Sequence, residues 1–435
     1  VIATLAVAVA LSAVVENRLA ESETPGCIAV ALVAEKTETA FGCTPGITPP
    51  AAIDEHSLFE IGSITKGFTG LILADMVRKG EISLDDPVTK YSRPGAKLPA
   101  GAESITLRDV VTQTSGLPRM PPVFKPANPR DPYADFTADS LYEALAATEL
   151  KERGKYEYSN FGFMWLSEML ARKAGKSYEA LLKERVLDPM GMKDTAITLS
   201  ADQEKRFVAG HGPDYHPAAH WHNGKNLEGV GALRVSLADM IKLAEAFAGR
   251  RDTPLKETIA LAVKPMRDGE GTNSTGYAWG VSKREAGVIW HGGGTGGFTS
   301  MIAVNPGTRT AAVVLVDSTT LFNDLPAHLV EPTLPLRKKR LGLATDIETL
   351  KQYVGRYEFT PQFAMEIFVD GARLMRQGTD QSAFEILREG PDTFFSYLNP
   401  TRLRFSRGAN REVDGLTLEQ LGGRELKGKR SASTR

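Results

Sequence analysis

The chain has 435 residues, with 52 Lys and Arg against 53 Asp and Glu, a formal net charge of -1, and 42% hydrophobic and 24% charged residues. That balance gives no bulk electrostatic reason to hold nucleic acid or an anionic membrane, and the composition excludes extensive disorder, collagen-like repeats and a multi-span membrane protein. The only two cysteines, Cys27 and Cys43, exclude a disulfide-rich scaffold and a zinc site of four thiolates. At about 150 residues per domain, the length allows two or three domains.

Residues 1–15, VIATLAVAVALSAVV, are free of charge but shorter than the roughly 20 residues a spanning helix needs. The stretch reads as the h-region of a signal peptide, with a small-residue cleavage pattern around Leu11-Ser12-Ala13; the alternative is an N-terminal helix running on through residues 16–21. Residues 1–20 are thus a signal-peptide remnant or a helix. Export to a periplasmic or extracellular compartment is expected, with no stable membrane span in the mature chain.

Residues 26–33 (GCIAVALV) and 37–42 flank a short charged turn and predict a β-hairpin. A turn centred near Glu35 sets Cys27 opposite Cys43, within the separation a disulfide tolerates. One unbonded buried thiol on each strand fits the same pattern. Helical patterns follow at 140–147, 161–174 and 237–248, and strand patterns return at 287–290, 299–304 and 310–316. Strands at both ends with helices between predict an α+β domain over 21–331. Its antiparallel sheet is closed by the first and last strands and flanked by helices with a helical subdomain. Residues 332–348, with Pro332-Thr-Leu-Pro335 and Arg337-Lys-Lys-Arg340, read as a linker because neither run has an apolar face to bury. Over 349–435, short strand-like pieces at 353–359, 364–369, 373–377, 384–388, 393–398 and 402–406 are punctuated by glycines. They predict a small all-β meander or barrel.

Phe59-Glu-Ile-Gly-Ser-Ile-Thr-Lys66 precedes an apolar run expected to form a buried helix ending near Gly80. On a helix, Ser63 and Lys66 fall on one face, within contact range. A serine hydroxyl needs a base, and a lysine desolvated by apolar neighbours has a lowered pKa and can serve. The same spacing also describes an N-cap serine beside a solvated lysine. Tyr156-Glu-Tyr-Ser-Asn160 stands before the helical pattern at 161–174. Tyr158 is a candidate proton carrier and Asn160 a candidate amide donor to a substrate carbonyl. A packed tyrosine followed by an N-cap at Ser159 or Asn160 accounts for the same residues. Trp290-His-Gly-Gly-Gly-Thr-Gly-Gly-Phe298 lies between two strand patterns, where such glycine density implies close approach of a ligand or another backbone. A glycine-rich hairpin loop is the plainer reading. No Gly-Lys-Ser/Thr follows, so this is not a phosphate loop.

Together and in this order, the three elements resemble the penicillin-recognising serine hydrolases, especially the class C β-lactamases and their esterase and D-aminopeptidase relatives. The resemblance extends over roughly residues 26–316. It includes Leu73-Ala-Asp-Met76, Thr114-Ser-Gly-Leu117, Leu187-Asp-Pro-Met-Gly-Met192 and Gly231-Ala-Leu-Arg-Val-Ser-Leu-Ala-Asp-Met240. It implies Ser63 as acylated nucleophile, Lys66 as its base partner, Tyr158 as proton shuttle and Asn160 as a substrate-amide contact. His291-Gly292-Gly293 is implied as the third motif, bordering the substrate, with the backbone N–H groups of Ser63 and Gly294 as the oxyanion hole. The implied partner is a small acyl substrate, a β-lactam, an ester or a short D-amino-acid peptide, with neither cofactor nor metal. From about Thr349 the chain resembles the small lipocalin-like β domain appended to some members.

One departure bears on substrate. Where β-lactamases usually carry Lys-Thr-Gly, this chain has His291-Gly-Gly, as in the esterase and peptidase branches. An unperturbed imidazole is mostly neutral above about pH 6.5, and a lost charged hydrogen bond costs about 1.5–3 kcal/mol of substrate binding. His211, His216, His220 and His222 cluster in a loop-like stretch without a helical His pair or an acidic base motif. They read as lining the cleft mouth rather than as a metal site. Two functional classes fit the motifs, a turnover hydrolase and a sensor that acylates and deacylates slowly.

Overall fold

The computed structural model describes residues 10–49, 51–122, 124–269, 271, 273–284, 287–360, 363–379, 383–397, 401–419 and 425–431. The chain divides into two compact units, residues 1–337 and 338–435.

The first unit is built on strands β1 (Cys27–Val33), β2 (Thr37–Cys43), β3 (Leu58–Glu60), β4 (Arg234–Ser236), β5 (Arg267–Asp268), β6 (Asn273–Thr275), β7 (Gly280–Ser282), β8 (Ile289–Gly294), β9 (Thr299–Asn305) and β10 (Thr310–Val316). Eight of them form one sheet in the order β2-β1-β10-β9-β8-β7-β6-β5, while β3 and β4 pair separately. β1 and β10, far apart in sequence, lie antiparallel with Ile28 opposite Val316, so the first and last strands pair as expected, inside a sheet whose edges are β2 and β5.

β1 and β10 are nearly unbroken apolar runs, and β9 carries Met301-Ile-Ala-Val304 between polar ends, because helices cover both faces of the sheet. Alternation along each strand sorts their side chains into two cores. Ala29, Ala31, Val313 and Leu315 pack with the helix Leu237–Phe247, in the same core as the helix Ile64–Arg78. Ile28, Val30, Val314 and Val316 instead pack against Leu11, Val15, Leu19, Phe322 and Leu325. Each fully buried Val, Leu, Ile or Phe among them contributes about 1.5–3 kcal/mol relative to exposure.

Leu11–Ala20 is a helix of the fold, and Leu11, Val15 and Leu19, spaced by four, share its buried face. The Arg18 guanidinium is buried, donates to Asp324 at 2.6 and 2.9 Å and lies 4.7 Å from the Phe322 ring centre. The small-residue pattern Leu11-Ser12-Ala13 is therefore the first turn of a packed helix. Residues 1–9 of the h-region stretch lie outside the described residues. At the hairpin, Cys27 and Cys43 are paired in register and joined by a disulfide.

The second unit is a closed antiparallel barrel of eight strands: β11 (Gly355–Thr360), β12 (Phe363–Asp370), β13 (Arg373–Gly378), β14 (Phe384–Gly390), β15 (Thr393–Phe395), β16 (Arg402–Arg407), β17 (Val413–Glu419) and β18 (Glu425–Ser431). Tyr353, Tyr357, Ile367, Leu374, Phe394, Phe405 and Leu416 fill its interior, and β11 meets β18 to remove the sheet edges. Leu398, the end of one expected strand, lies outside the described residues. The stretch read as linker is anchored to both units. Arg337 N–H donates to Asp324 in the first, while Leu343 N–H donates to the Arg388 carbonyl in the second.

Candidate active site

Ser63 owes its position to the short β3–β4 pair. Beyond β3, Ile61 N–H donates to the Leu233 carbonyl at 3.1 Å, and Gly62 turns the chain at a φ of +47° into the helix Ile64–Arg78. Ser63 is the N-cap of that helix, and the helix is buried on all sides from Ile64 to Met76. Lys66 lies in its first turn with no exposed surface. Its Nζ is 2.9 Å from Ser63 Oγ and 2.7 Å from the Val230 carbonyl oxygen. Burial, and secondly the charge of Arg119, hold its pKa well below the usual lysine range. The solvated-lysine reading of the Ser-x-x-Lys spacing is thereby excluded.

Tyr158 is held over this pair by a clamp from the loop before it. Gln113, at a φ of +62°, accepts from Glu157 N–H through its carbonyl at 2.8 Å, and from Ser159 N–H through Oε1 at 2.7 Å. Ser159 Oγ donates to the Pro118 carbonyl at 2.7 Å and caps the helix Asn160–Ala174. Asn160 N–H donates to the Arg119 carbonyl at 2.9 Å. The Tyr158 ring consequently has Lys66 Nζ 5.0 Å from its centre and the Arg119 guanidinium also 5.0 Å from it.

The third wall is β8. Its pairing with β9 sets His291 opposite Ile302 and Gly294 opposite Thr299, so His291-Gly-Gly-Gly294 is the strand itself and the turn comes after it. A Cβ on Gly293 would overlap the Ile61 carbonyl oxygen and stand 2.8 Å from Ser300 Oγ. Glycine is therefore what lets β8 reach the Ser63 turn. β7 pairs with β8 only at Ile289 and Trp290, which leaves the outer edge of His291–Gly294 unpaired by that strand. His291 is buried and its Nδ1 lies 2.7 Å from the Gly292 carbonyl oxygen, an arrangement that suits Nδ1–H as donor. Burial, then the nearby Lys66, pull its pKa down to about 4, so the imidazole is neutral at pH 7.

These walls enclose a cavity of about 470 Å³, lined among others by Ser63, Gln113, Arg119, Tyr158, His291 and Gly293. Ser63, Tyr158, His291, Gly293 and Gly294 all border it, and Lys66 touches Ser63 from beneath. Asn160 does not border it. Its Nδ2 lies 3.4 Å from Tyr133 Oη and 3.5 Å from Met120 Sδ, because the helix start turns its side chain toward that neighbouring segment. The histidine-rich stretch does not line the cavity either. His211 is buried, its ring stacked on Tyr215, while His220 stacks on Phe207 and His222 pairs with Asp131 at 2.7 Å. Among the described residues, no group of three side chains could hold a metal. Gln113 and Arg119 escaped the sequence reading, although Thr114-Ser-Gly-Leu117 between them was part of the resemblance.

An antiparallel sheet whose first and last long strands pair, helices over both of its faces, and a serine and a buried lysine at the start of a central helix define a serine hydrolase of β-lactamase fold. Residues 11–329 match the β-lactamase family, and the chain belongs to it. Residues 343–430 match a domain of unknown function, DUF3471. Among its relatives, the chain is 29% identical over 283 residues to the D-alanyl-D-alanine-carboxypeptidase/endopeptidase AmpH of Escherichia coli (strain K12), covering 61% of this chain and 72% of that one. It is 27% identical over 311 residues to the esterase EstB of Burkholderia gladioli, covering 62% and 77%. In fold it is similar to a class C β-lactamase from Rhodobacter sphaeroides, with a TM-score of 0.61 at 20% identity over 74% of this chain and 99% of that one.

Proposed function

We propose that this chain hydrolyses an amide or ester by passing its acyl group through Ser63. Lys66 takes the proton of the Ser63 hydroxyl as Oγ attacks the carbonyl, and Tyr158 carries a proton to the departing amine or alcohol. The backbone N–H groups of Ser63 and Gly294 receive the oxyanion, and His291 and Gly293 border the substrate. Water, activated by Tyr158 and Lys66, then releases the acid and restores the serine. Asn160 has no part in this reading, because its amide is turned toward Tyr133 and Met120.

The observation that carries the proposal is a fully buried lysine 2.9 Å from a serine hydroxyl that borders a cavity. An ammonium in that place is desolvated, and the neutral amine is the form that can act as base. For the acyl donor, D-amino-acid peptides or amides and simple esters are favoured over β-lactams. β8 carries a neutral imidazole where a permanent cation would hold a β-lactam carboxylate, and the relatives include a carboxypeptidase and an esterase. The Cys27–Cys43 disulfide supports function in an oxidising, exported compartment.

The test is labelling with an activated phosphonate followed by peptide mass spectrometry, alongside a panel of para-nitrophenyl esters, D-alanyl amides and a chromogenic cephalosporin. The expected result is one adduct, on Ser63, and turnover of esters or D-amides above that of the cephalosporin. An adduct that persists in Ser63→Ala overturns the mechanism, and a dominant cephalosporinase activity overturns the substrate order.

A further inference from the structure

Arg119 is the only formally charged side chain among the described residues lining the cavity, and that lining contains no Asp or Glu. The carboxylates on flanking segments are engaged elsewhere: Glu157 by Lys151, Asp109 by Arg153 and Asp131 by His222. The guanidinium has no ion-pair partner among the described residues. It rests 5.0 Å from the centre of the Tyr158 ring, where a planar cation stacks favourably. Its backbone is fixed, because its carbonyl accepts from both Asn160 and Phe161 N–H groups at the start of the helix that follows Tyr158. Across the cavity, the buried His291 is uncharged.

A cavity with one anchored, unpaired cation and no anion is complementary to an anionic ligand, and a guanidinium fork matches a carboxylate. Resting on the acyl-Ser63 reading, we propose that Arg119 is the anion subsite of this pocket, receiving a carboxylate of the acyl donor on the Tyr158 side while β8 contributes none of that charge. Within the esters and amides already favoured, those that place a carboxylate on the Arg119 side are thus preferred over their neutral counterparts. That group can belong to the acyl part or to the leaving group, and the two are separable by experiment.

Two matched substrate pairs make the test. Mono-para-nitrophenyl glutarate against para-nitrophenyl pentanoate places the carboxylate on the acyl part; meta-carboxyphenyl acetate against phenyl acetate places it on the leaving group. For at least one pair, Arg119→Ala should lower the ratio of anionic to neutral kcat/KM at least about fivefold, mainly through KM. Arg119→Lys should recover part of the ratio, and Arg119→Glu should push it below that of the alanine variant. A change confined to the first pair assigns the carboxylate to the acyl part, and one confined to the second assigns it to the leaving group. A ratio unmoved in both pairs, or a fall in kcat alike for charged and neutral members as expected of a mere support for Tyr158, overturns the subsite. Trapping the acyl-enzyme in the same reactions keeps the parent reading separate. Acyl-Ser63 with unmoved ratios sinks only the Arg119 assignment, whereas turnover that survives in Ser63→Ala sinks the reading beneath it.

Discussion

Gly62 and Gly294 meet backbone to backbone: a Cβ on Gly62 would lie 2.6 Å from the Gly294 nitrogen. The turn that delivers Ser63 and the end of β8 are therefore fitted to each other with no space for a side chain, and Gly62 also holds a φ of +47° that L-residues adopt at a cost. In the proposed mechanism this contact sets the two oxyanion N–H groups. Gly62→Ala should lower kcat for an activated ester by about 10²-fold, the scale of losing one oxyanion donor. It should also lower Tm by several degrees while leaving the far-ultraviolet circular dichroism unchanged. Wild-type kcat in this variant would show that the approach of the two backbones is not used in turnover.

Lys66→Ala and Tyr158→Phe should each reduce kcat by about 10²-fold or more. The Tyr158 ring lies 5.0 Å from Lys66 Nζ, and the two act on one proton path in the proposed mechanism. The double variant should consequently fall little further than the worse single one. Steady-state kinetics on one activated ester measures all three. Multiplicative losses would mean that the residues serve separate steps.

Much of this site was legible because catalytic chemistry needs particular residue types at short spacings: Ser63 and Lys66 one helical turn apart, Tyr158 just before a helix, and glycines after His291. The apolar runs of β1, β9 and β10 were legible for the same local reason. Arg119 was not, because its place on the cavity depends on Gln113 gripping Glu157 and Ser159, a contact between loops more than 40 residues apart. The His291–Gly294 part of β8 reads as a loop after a strand ending at Trp290, since glycine has low strand propensity and is required here only by the distant Ile61 carbonyl. β18 is largely polar with Gly428 its one buried residue, so backbone pairing rather than an apolar pattern places it in the barrel. In the Leu11, Val15 and Leu19 stripe, the first two were hidden in residues 1–15, where almost every residue is apolar and no helical face stands out.

Glu228 offers a stability test beside the site. It is buried, its Oε2 has no partner among the described residues, and burial first, opposed only in part by nearby backbone donors, raises its pKa to about 7. A carboxyl whose pKa is higher folded than unfolded favours the fold when protonated. That contribution is complete below about pH 4.5 and is lost as pH rises through about 7. Glu228→Gln should therefore raise Tm at pH 8 and change it little at pH 4.5. Melting curves across that interval decide, and an equal shift at both pH values would mean that ionisation of Glu228 is not the cause. Because Glu228 lies two residues from the Val230 carbonyl that accepts from Lys66, the same change should also alter kcat modestly.

His291 sets the last expectation. Its imidazole is pulled down to about 4 by burial and by Lys66, so across pH 6 to 8 it carries no charge that could vary. The ratio of activities on carboxylate-bearing and neutral substrates should accordingly stay flat over that range in the wild type. In His291→Lys an amine occupies the same wall, and although burial beside Lys66 lowers its pKa too, its protonated fraction supplies a cation the imidazole lacks. That variant should raise kcat/KM for a carboxylate-bearing β-lactam relative to a neutral ester by several-fold, and the gain should shrink as pH rises and the new amine loses its proton. Parallel pH profiles of the two proteins on both substrates make the measurement. A wild-type ratio that already moves between pH 6 and 8 would place a titrating group other than a buried neutral His291 against the substrate. A ratio unmoved by the substitution at any pH would mean that this wall does not meet the carboxylate at all, which leaves charge selection to the Arg119 side.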